Sequence, residues 1–383
     1  MSRRKKILWL PSWYPNKYDA FDGDFIQRHA KAAALYHDVY VLFIKQFPEH
    51  VFVEEEKNEG NDGLVERLIY LPKKKGPLDR LANFIAWQRC YRKTVKVIVE
   101  IEKPHLIHVH VPWKAGLMAL WAKREFNLPY IVTEHWGIYN TVAEDNIYTK
   151  PFLFRQSLKR IYQQAASFVS VSRYLGEGLN RSLVKEDFTV IPNVVDTALF
   201  FPSSDKYERF TFVHVSNMVP LKNVEGILEA YKFFLLQTKA DARLVLIGNR
   251  DDSYQLMAAK LNLSADDISF KGETSYDEVA NEVRRCHAFI LNSHIENSPC
   301  VIGEALCCGL PVIATAVGGI PELINEENGI IISPQNPKML ALAMKEMYQD
   351  SARFNADKIA AAAEQKFSPP VVSEAFNCLY QSL

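Results

Sequence analysis

Leu291-Asn292-Ser293-His294-Ile295-Glu296-Asn297-Ser298-Pro299 is the stretch on which the fold turns. It leaves the short apolar run 288–291, which reads as a buried strand, and enters the apolar run 300–308, which reads as a helix. Ser298 suits the N-cap and Pro299 the first helical position, while Gly309 followed by Pro311 ends the helix. Strand, polar loop and helix start make one beat of a parallel α/β series, and the exposed amides of such a start favour an anion.

The same beat recurs on both sides. Strands are expected at 6–10, 39–43, 106–109, 130–133, 168–171 and 189–191, then at 210–215, 243–247, 268–270, 288–291, 312–316 and 330–332. Two similar series imply two doubly wound parallel sheets. A length of 383 residues agrees, at about 150 residues per domain. Pro192-Asn193-Val194-Val195-Asp196 and Phe200-Phe201-Pro202-Ser203-Ser204-Asp205 suit a crossing between them, so the first domain is expected over 1–200 and the second over 201–366. The acidic run 54–63 reads as a solvated loop.

Composition removes several classes of function. With 48% hydrophobic and 23% charged residues the chain is not disordered, and 45 basic against 45 acidic side chains leave no net field for nucleic acid. The six cysteines form no CxxC pair, which speaks against a disulfide framework or structural zinc and for a reducing compartment. After Arg3, Arg4, Lys5 and Lys6 the apolar run stops at Pro11, too short for a signal-peptide core. Glu304, Pro311 and four glycines interrupt 301–320, so it is no membrane span. A soluble, cytoplasmic protein is the expectation.

Chemistry-bearing residues cluster at the predicted strand ends. Glu296 precedes the helix start and Glu304 follows eight residues later, so the pair can bind two sets of hydroxyls on either side of a phosphate, the shape of a nucleotide sugar. Two isolated surface glutamates would be the plain alternative, but a carboxylate in so apolar a helix as that of Glu304 calls for a partner or a ligand. Lys222 stands just before a helix beginning at Val224, where the macrodipole disfavours a cation unless something anionic is present. In the first domain, strand 130–133 ends in Glu134-His135-Trp136-Gly137, placing His135 at a carboxyl edge.

The string Glu296, seven residues, Glu304-Ala305, then Gly309-Leu310-Pro311-Val312-Ile313-Ala314-Thr315 and Gly318-Gly319-Ile320-Pro321-Glu322 resembles the family four, group one, retaining glycosyltransferases. That resemblance implies the GT-B fold, two Rossmann-like domains facing across a cleft, with a last helix, 367–383, crossing back to the first. It implies that Glu296 contacts the transferred sugar, Glu304 the ribose, and Lys222 the departing diphosphate, with amides near Asn297 and Ser298 also meeting the diphosphate. His135 would lie close to the sugar, and Gly23, in the loop after the first strand, close to donor phosphate and acceptor. Asn217 stands where the family carries an arginine, and Arg250 or His294 would have to compensate. Gly272 and Glu273 fall where the family contacts the nucleobase. No cofactor or metal is implied, and the partners would be a nucleotide sugar and a carbohydrate or lipid-linked acceptor, in bacterial polysaccharide or glycolipid synthesis.

Three other readings remain open at this stage. Asp22 and Asp24 spell the DxD signature of the other glycosyltransferase fold, which uses a metal. An epimerase or phosphorylase on the same scaffold would use a similar donor site, and a non-catalytic nucleotide-sugar-binding paralogue would fit the missing arginine at Asn217. The basic amphipathic stretch 78–99, with Lys73-Lys74-Lys75 upstream, is either a solvated helix face or a contact with the inner face of the cytoplasmic membrane.

Overall fold

The computed structural model describes residues 4–60, 62–76 and 79–383. The chain divides into two compact units, Met1–Val194 with Pro369–Leu383, and Val195–Ser368. In the first, β1 (Lys6–Pro11), β2 (Asp38–Phe47), β3 (Glu54–Glu59), β4 (Leu64–Pro72), β5 (Leu106–His110), β6 (Tyr130–Glu134), β7 (Ser167–Ser170) and β8 (Phe188–Val190) form one sheet. Its order is β3-β4-β2-β1-β5-β6-β7-β8. The helices α1 (Asp24–Ala34), α2 (Asp79–Glu102), α3 (Ala115–Phe126), α4 (Phe152–Gln164) and α5 (Arg173–Ser182) connect the strands. Central strands are covered on both faces, so Ile7-Leu8-Trp9-Leu10 is buried throughout, as an unbroken apolar run requires.

In the second unit β9 (Phe210–Val215), β10 (Ala242–Ile247), β11 (Ile268–Gly272), β12 (Ala288–Leu291), β13 (Val312–Thr315) and β14 (Gly329–Ile332) form a parallel sheet in the order β11-β10-β9-β12-β13-β14. It is connected by α6 (Val224–Thr238), α7 (Asp252–Lys260), α8 (Tyr276–Arg285), α9 (Cys300–Cys307), α10 (Pro337–Gln349) and α11 (Ala356–Phe367). The last helix, α12 (Pro369–Gln381), belongs to the first unit and packs on α1, with Phe376 and Tyr380 fully buried. Strand order reverses beside β1 and beside β9, and in such sheets ligands bind at the carboxyl ends on either side of that reversal.

All twelve expected strands are present, but β3 and β4 are additional, and the division and the start of α9 differ. Glu54–Glu59 is not a loop: it pairs antiparallel with β4, which itself runs parallel to β2. An edge strand with one neighbour can be polar throughout, and Arg67–Glu55 and Tyr70–Glu56 hold this one, so composition hid it. The division falls at Val194/Val195 rather than after residue 200, because the Val195 amide donates to Phe367 O at the end of α11. Helix α9 starts one residue late, with Pro299 rather than Ser298 at the N-cap. Within the basic stretch, Leu78 lies outside the described residues; Trp87, Tyr91, Val95 and Ile98 are buried, while Leu81 and Ile85 are exposed. Among the described residues no helix is long and apolar enough to cross a membrane.

The core of the first unit holds an unusual group of neutral imidazoles. His108 bridges Tyr380 Oη (2.6 Å) and Thr133 Oγ1 (2.7 Å), His29 Nε2–H donates to Pro192 O (2.8 Å), and His110 Nδ1 lies 3.1 Å from His135 Nε2. Burial pushes the pKa of His29 down to about 4, and that of His108, His110 and His135 well below the usual imidazole value. The unfolded chain takes up these protons from about pH 6.5 downward, whereas the folded chain does not until far lower. Their stabilising contribution is therefore complete above pH 6.5 and is lost as pH falls from there towards 4, by about 3 kcal/mol for His29 alone. Glu134, whose carboxyl is raised by burial, opposes this with a single group. All six tryptophans lie in this unit, so their fluorescence reports its unfolding. The urea midpoint of that signal is expected to fall steadily between pH 7 and pH 5, and a constant midpoint would contradict the histidine account.

Candidate active site

In the second unit, the loop after β12 carries Glu296 and the turn before α6 carries Lys222. Their side chains meet directly, Lys222 Nζ to Glu296 Oε1 at 2.5 Å, with side-chain exposures of 21% and 9%. Ser293 Oγ donates to the same carboxylate oxygen at 2.7 Å, and Thr315 Oγ1, at the end of β13, donates to Ser293 O at 2.7 Å. The backbone joins the two segments again, because the His294 amide donates to Leu221 O at 2.8 Å. Gly318 completes the cradle. Its φ is +58°, and a Cβ there would lie 1.6 Å from Glu296 O, so only glycine lets the loop after β13 pass so close.

Lys222 ends a short 3₁₀ turn, Pro220–Lys222. Asn223 follows in a left-handed conformation and caps α6, its side chain accepting from the Gly226 amide at 3.2 Å. The cation at the helix start is thus matched by Glu296, one answer to the macrodipole problem posed by the sequence. Glu304, on α9, is 5% exposed and accepts from Tyr276 Oη at 2.7 Å, a partner contributed by α8. Asn297 and Ser298 follow Glu296 in the same loop and are half-buried.

The residues expected near a nucleobase divide. Arg250 and Gly272 line a cavity of about 230 Å³ with Met218, Gly248, Tyr254 and Lys271, at the carboxyl ends of β9, β10 and β11. Gly248 is required there, since a Cβ would lie 1.7 Å from Ser216 O. Arg250 is exposed and pairs with Asp252 at 3.0 Å, whereas Glu273 is exposed and lies outside the cavity lining. Asn217 is exposed on the turn after β9, next to Met218, whose φ is +56°.

In the first unit His135 is buried, tilted against Phe25 at 4.9 Å and stacked on His110 at 5.4 Å. The segment is held by Glu134, which sequence reasoning passed over. One of its oxygens accepts from the His135 and Trp136 amides at 2.8 Å each, and the other from Tyr139 at 3.0 Å and from Tyr162. A buried carboxylate with four donors fixes where the next two residues point. Its only sequence signal was a charge at the end of an apolar strand. Ring nitrogens of His29, His110 and His135 lie within 4.8 Å of one another, a group of three that could hold a metal ion and that the sequence did not suggest.

Gly23 begins α1 with φ +69°, and a Cβ there would lie 2.7 Å from the Trp13 backbone, so it sets the path of the loop after β1. The flanking aspartates are engaged separately: Asp22 with Lys45 at 2.5 Å, and Asp24 with Arg28 at 3.0 Å.

Comparison with known proteins follows the same division. The family Glycosyltransferase Family 4 matches residues 28–199, and Glycosyl transferases group 1 matches 196–366. An uncharacterized glycosyltransferase of Methanocaldococcus jannaschii is 28% identical over 300 residues, 78% of this chain and 79% of its own. TuaC of Bacillus subtilis, named for teichuronic acid biosynthesis, is 23% identical over 359 residues, 88% of each chain. The structure of Anabaena HepE in complex with UDP and glucose superposes with a TM-score of 0.72 at 18% identity, covering 99% of this chain and 100% of that one. Two adjoining family matches, two parallel-sheet units and the paired glutamates lead to one conclusion: this chain belongs to the group 1, family 4 type glycosyltransferases and has their GT-B fold.

Proposed function

We propose that this glycosyltransferase moves a sugar from a nucleotide-diphosphate sugar to an acceptor hydroxyl with retention of configuration and without a metal, in the synthesis of a bacterial surface polysaccharide or glycolipid. The observation that carries the reading is the Lys222–Glu296 pair, tied by Ser293 beside the start of α9. An arriving diphosphate competes with Glu296 for the ammonium group. Lys222 then neutralises charge on the leaving group, and the released carboxylate takes hydroxyls of the sugar. Glu304 and the cavity bordered by Gly272 and Arg250 are assigned to the ribose and base.

In the transfer step the bond from the anomeric carbon to the diphosphate oxygen breaks while the acceptor oxygen bonds to the same face of that carbon. The acceptor proton passes to the departing diphosphate oxygen. TuaC, named for teichuronic acid biosynthesis, supports a surface polysaccharide. A cytoplasmic location and a contact with the inner membrane face through 73–99 remain part of the proposal, the exposed Leu81 and Ile85 beside basic side chains being what supports the contact.

Substitution tests the pair. Glu296→Gln and Lys222→Ala are each expected to lower turnover about 100- to 1,000-fold, with unchanged far-UV circular dichroism; turnover within twofold of wild type in either variant would remove that residue from the chemistry. His135→Ala, assigned to the sugar by resemblance, is expected to lower kcat more than it raises KM, and an unaltered kcat would end that assignment. Chelator is expected to leave turnover intact. Inhibition reversed by added Mn²⁺ or Zn²⁺ would overturn the metal-free reading and direct attention to His29, His110 and His135.

A further inference from the structure

A second cavity lies within the first unit, about 420 Å³ in volume, and its walls come from the carboxyl ends of β1, β2, β4, β5 and β6. This is the side of the sheet where ligands bind. Trp13, Trp113 and Trp136 line it, the first and third meeting edge to face at 6.2 Å. Flat rings at such an edge suit the apolar face of a sugar.

The charges around the cavity do not balance. Lys45, Lys73 and Lys114 line it, against one carboxylate, Asp22, which is already held by Lys45 at 2.5 Å. Among the described residues neither Lys73 nor Lys114 has an ion-pair partner. The two are near enough to repel, since desolvation and then Lys73 lower the Lys114 pKa. The loop that delivers Lys114 is itself held in unfavourable backbone, with φ of +55° at Val111 and +68° at Lys114. Two lysines lining one cavity, neither ion-paired among the described residues, ask for an anion. The cavity is lined by lysine and no arginine, which favours a phosphoryl group approached as point charges over a planar carboxylate gripped by a fork.

We infer that this cavity binds a phosphate or diphosphate group carried by the acceptor, held by Lys73 and Lys114, with the acceptor sugar laid against Trp13 and Trp136. The word acceptor rests on the proposed glycosyl transfer; the anion site does not. The donor diphosphate belongs to Lys222 in the other unit, so the two sites can be separated by substitution.

The tryptophans make the test direct, because none lies in the second unit. Inorganic pyrophosphate is titrated against intrinsic fluorescence of the full chain, alongside UDP and GDP binding followed by calorimetry. Lys73→Ala with Lys114→Ala is expected to weaken the pyrophosphate response about 10- to 100-fold, Lys→Arg at both positions to restore most of it, and Lys222→Ala to leave it in place. Lys73→Ala alone, in an exposed strand-end residue, serves if the double variant is unstable. An undiminished pyrophosphate response in these variants, or none in wild type, overturns the inference. Loss of nucleotide binding in Lys222→Ala with the fluorescence response retained supports two sites, and nucleotide binding independent of Lys222 would count against the donor reading alone. Glucose 6-phosphate and a detergent-solubilised isoprenyl diphosphate then distinguish a soluble sugar phosphate from a lipid-linked acceptor as the source of the anion.

Discussion

The ion pair between Lys222 and Glu296 is the contact on which the loops at the carboxyl edge of the second unit's sheet depend. Neither charge is fully solvated, so removing one partner would leave the other partly desolvated and unpaired. The surrounding structure exists to keep them together: Ser293 bonds the carboxylate, Thr315 fixes Ser293, the His294 amide fastens the two segments, and Gly318 lets the next loop pass. In the function proposed above, an arriving anion takes the lysine while the freed glutamate turns to hydroxyls.

The first unit uses burial in another way. Glu134 is satisfied by four donors and cannot reorient cheaply, so the residues after it, His135 and Trp136, leave the strand in a fixed direction. His135 in turn stacks on His110, and His110 on Trp9 at 4.1 Å, a column kept neutral by desolvation. Neutral rings can accept as well as donate hydrogen bonds, which a charged imidazolium cannot. The neighbouring cavity is the reverse case, with Lys73 and Lys114 in its lining and no ion-pair partner for either among the described residues.

Much of this was readable along the chain. Both sheets followed from apolar runs of strand length, because strands buried on two faces must be apolar at nearly every position. The glutamate pair, Lys222 and the glycines of the following loop were legible because chemistry and backbone geometry restrict those positions to very few residue types. The edge strand Glu54–Glu59 was not, since an edge strand answers to solvent on most sides and its acidic composition matches that of a loop. The N-cap of α9 was misplaced by one residue because Ser298 is the locally preferred cap, yet the helix starts only after Pro299.

By itself the sequence determined the α/β class, the presence of two sheet-based units and the acidic and basic residues that stand at the carboxyl ends of the second unit's strands. What only the tertiary structure decided was who meets whom: Lys222 with Glu296, Tyr276 with Glu304, four donors on Glu134, and Lys73 beside Lys114. The reason is physical. Strand and helix patterns are set by neighbours within a turn or a pleat, whereas Lys222 and Glu296, Tyr276 and Glu304, and Tyr162 and Glu134 are tens of residues apart in the chain and are joined only when the strands line up in the sheet.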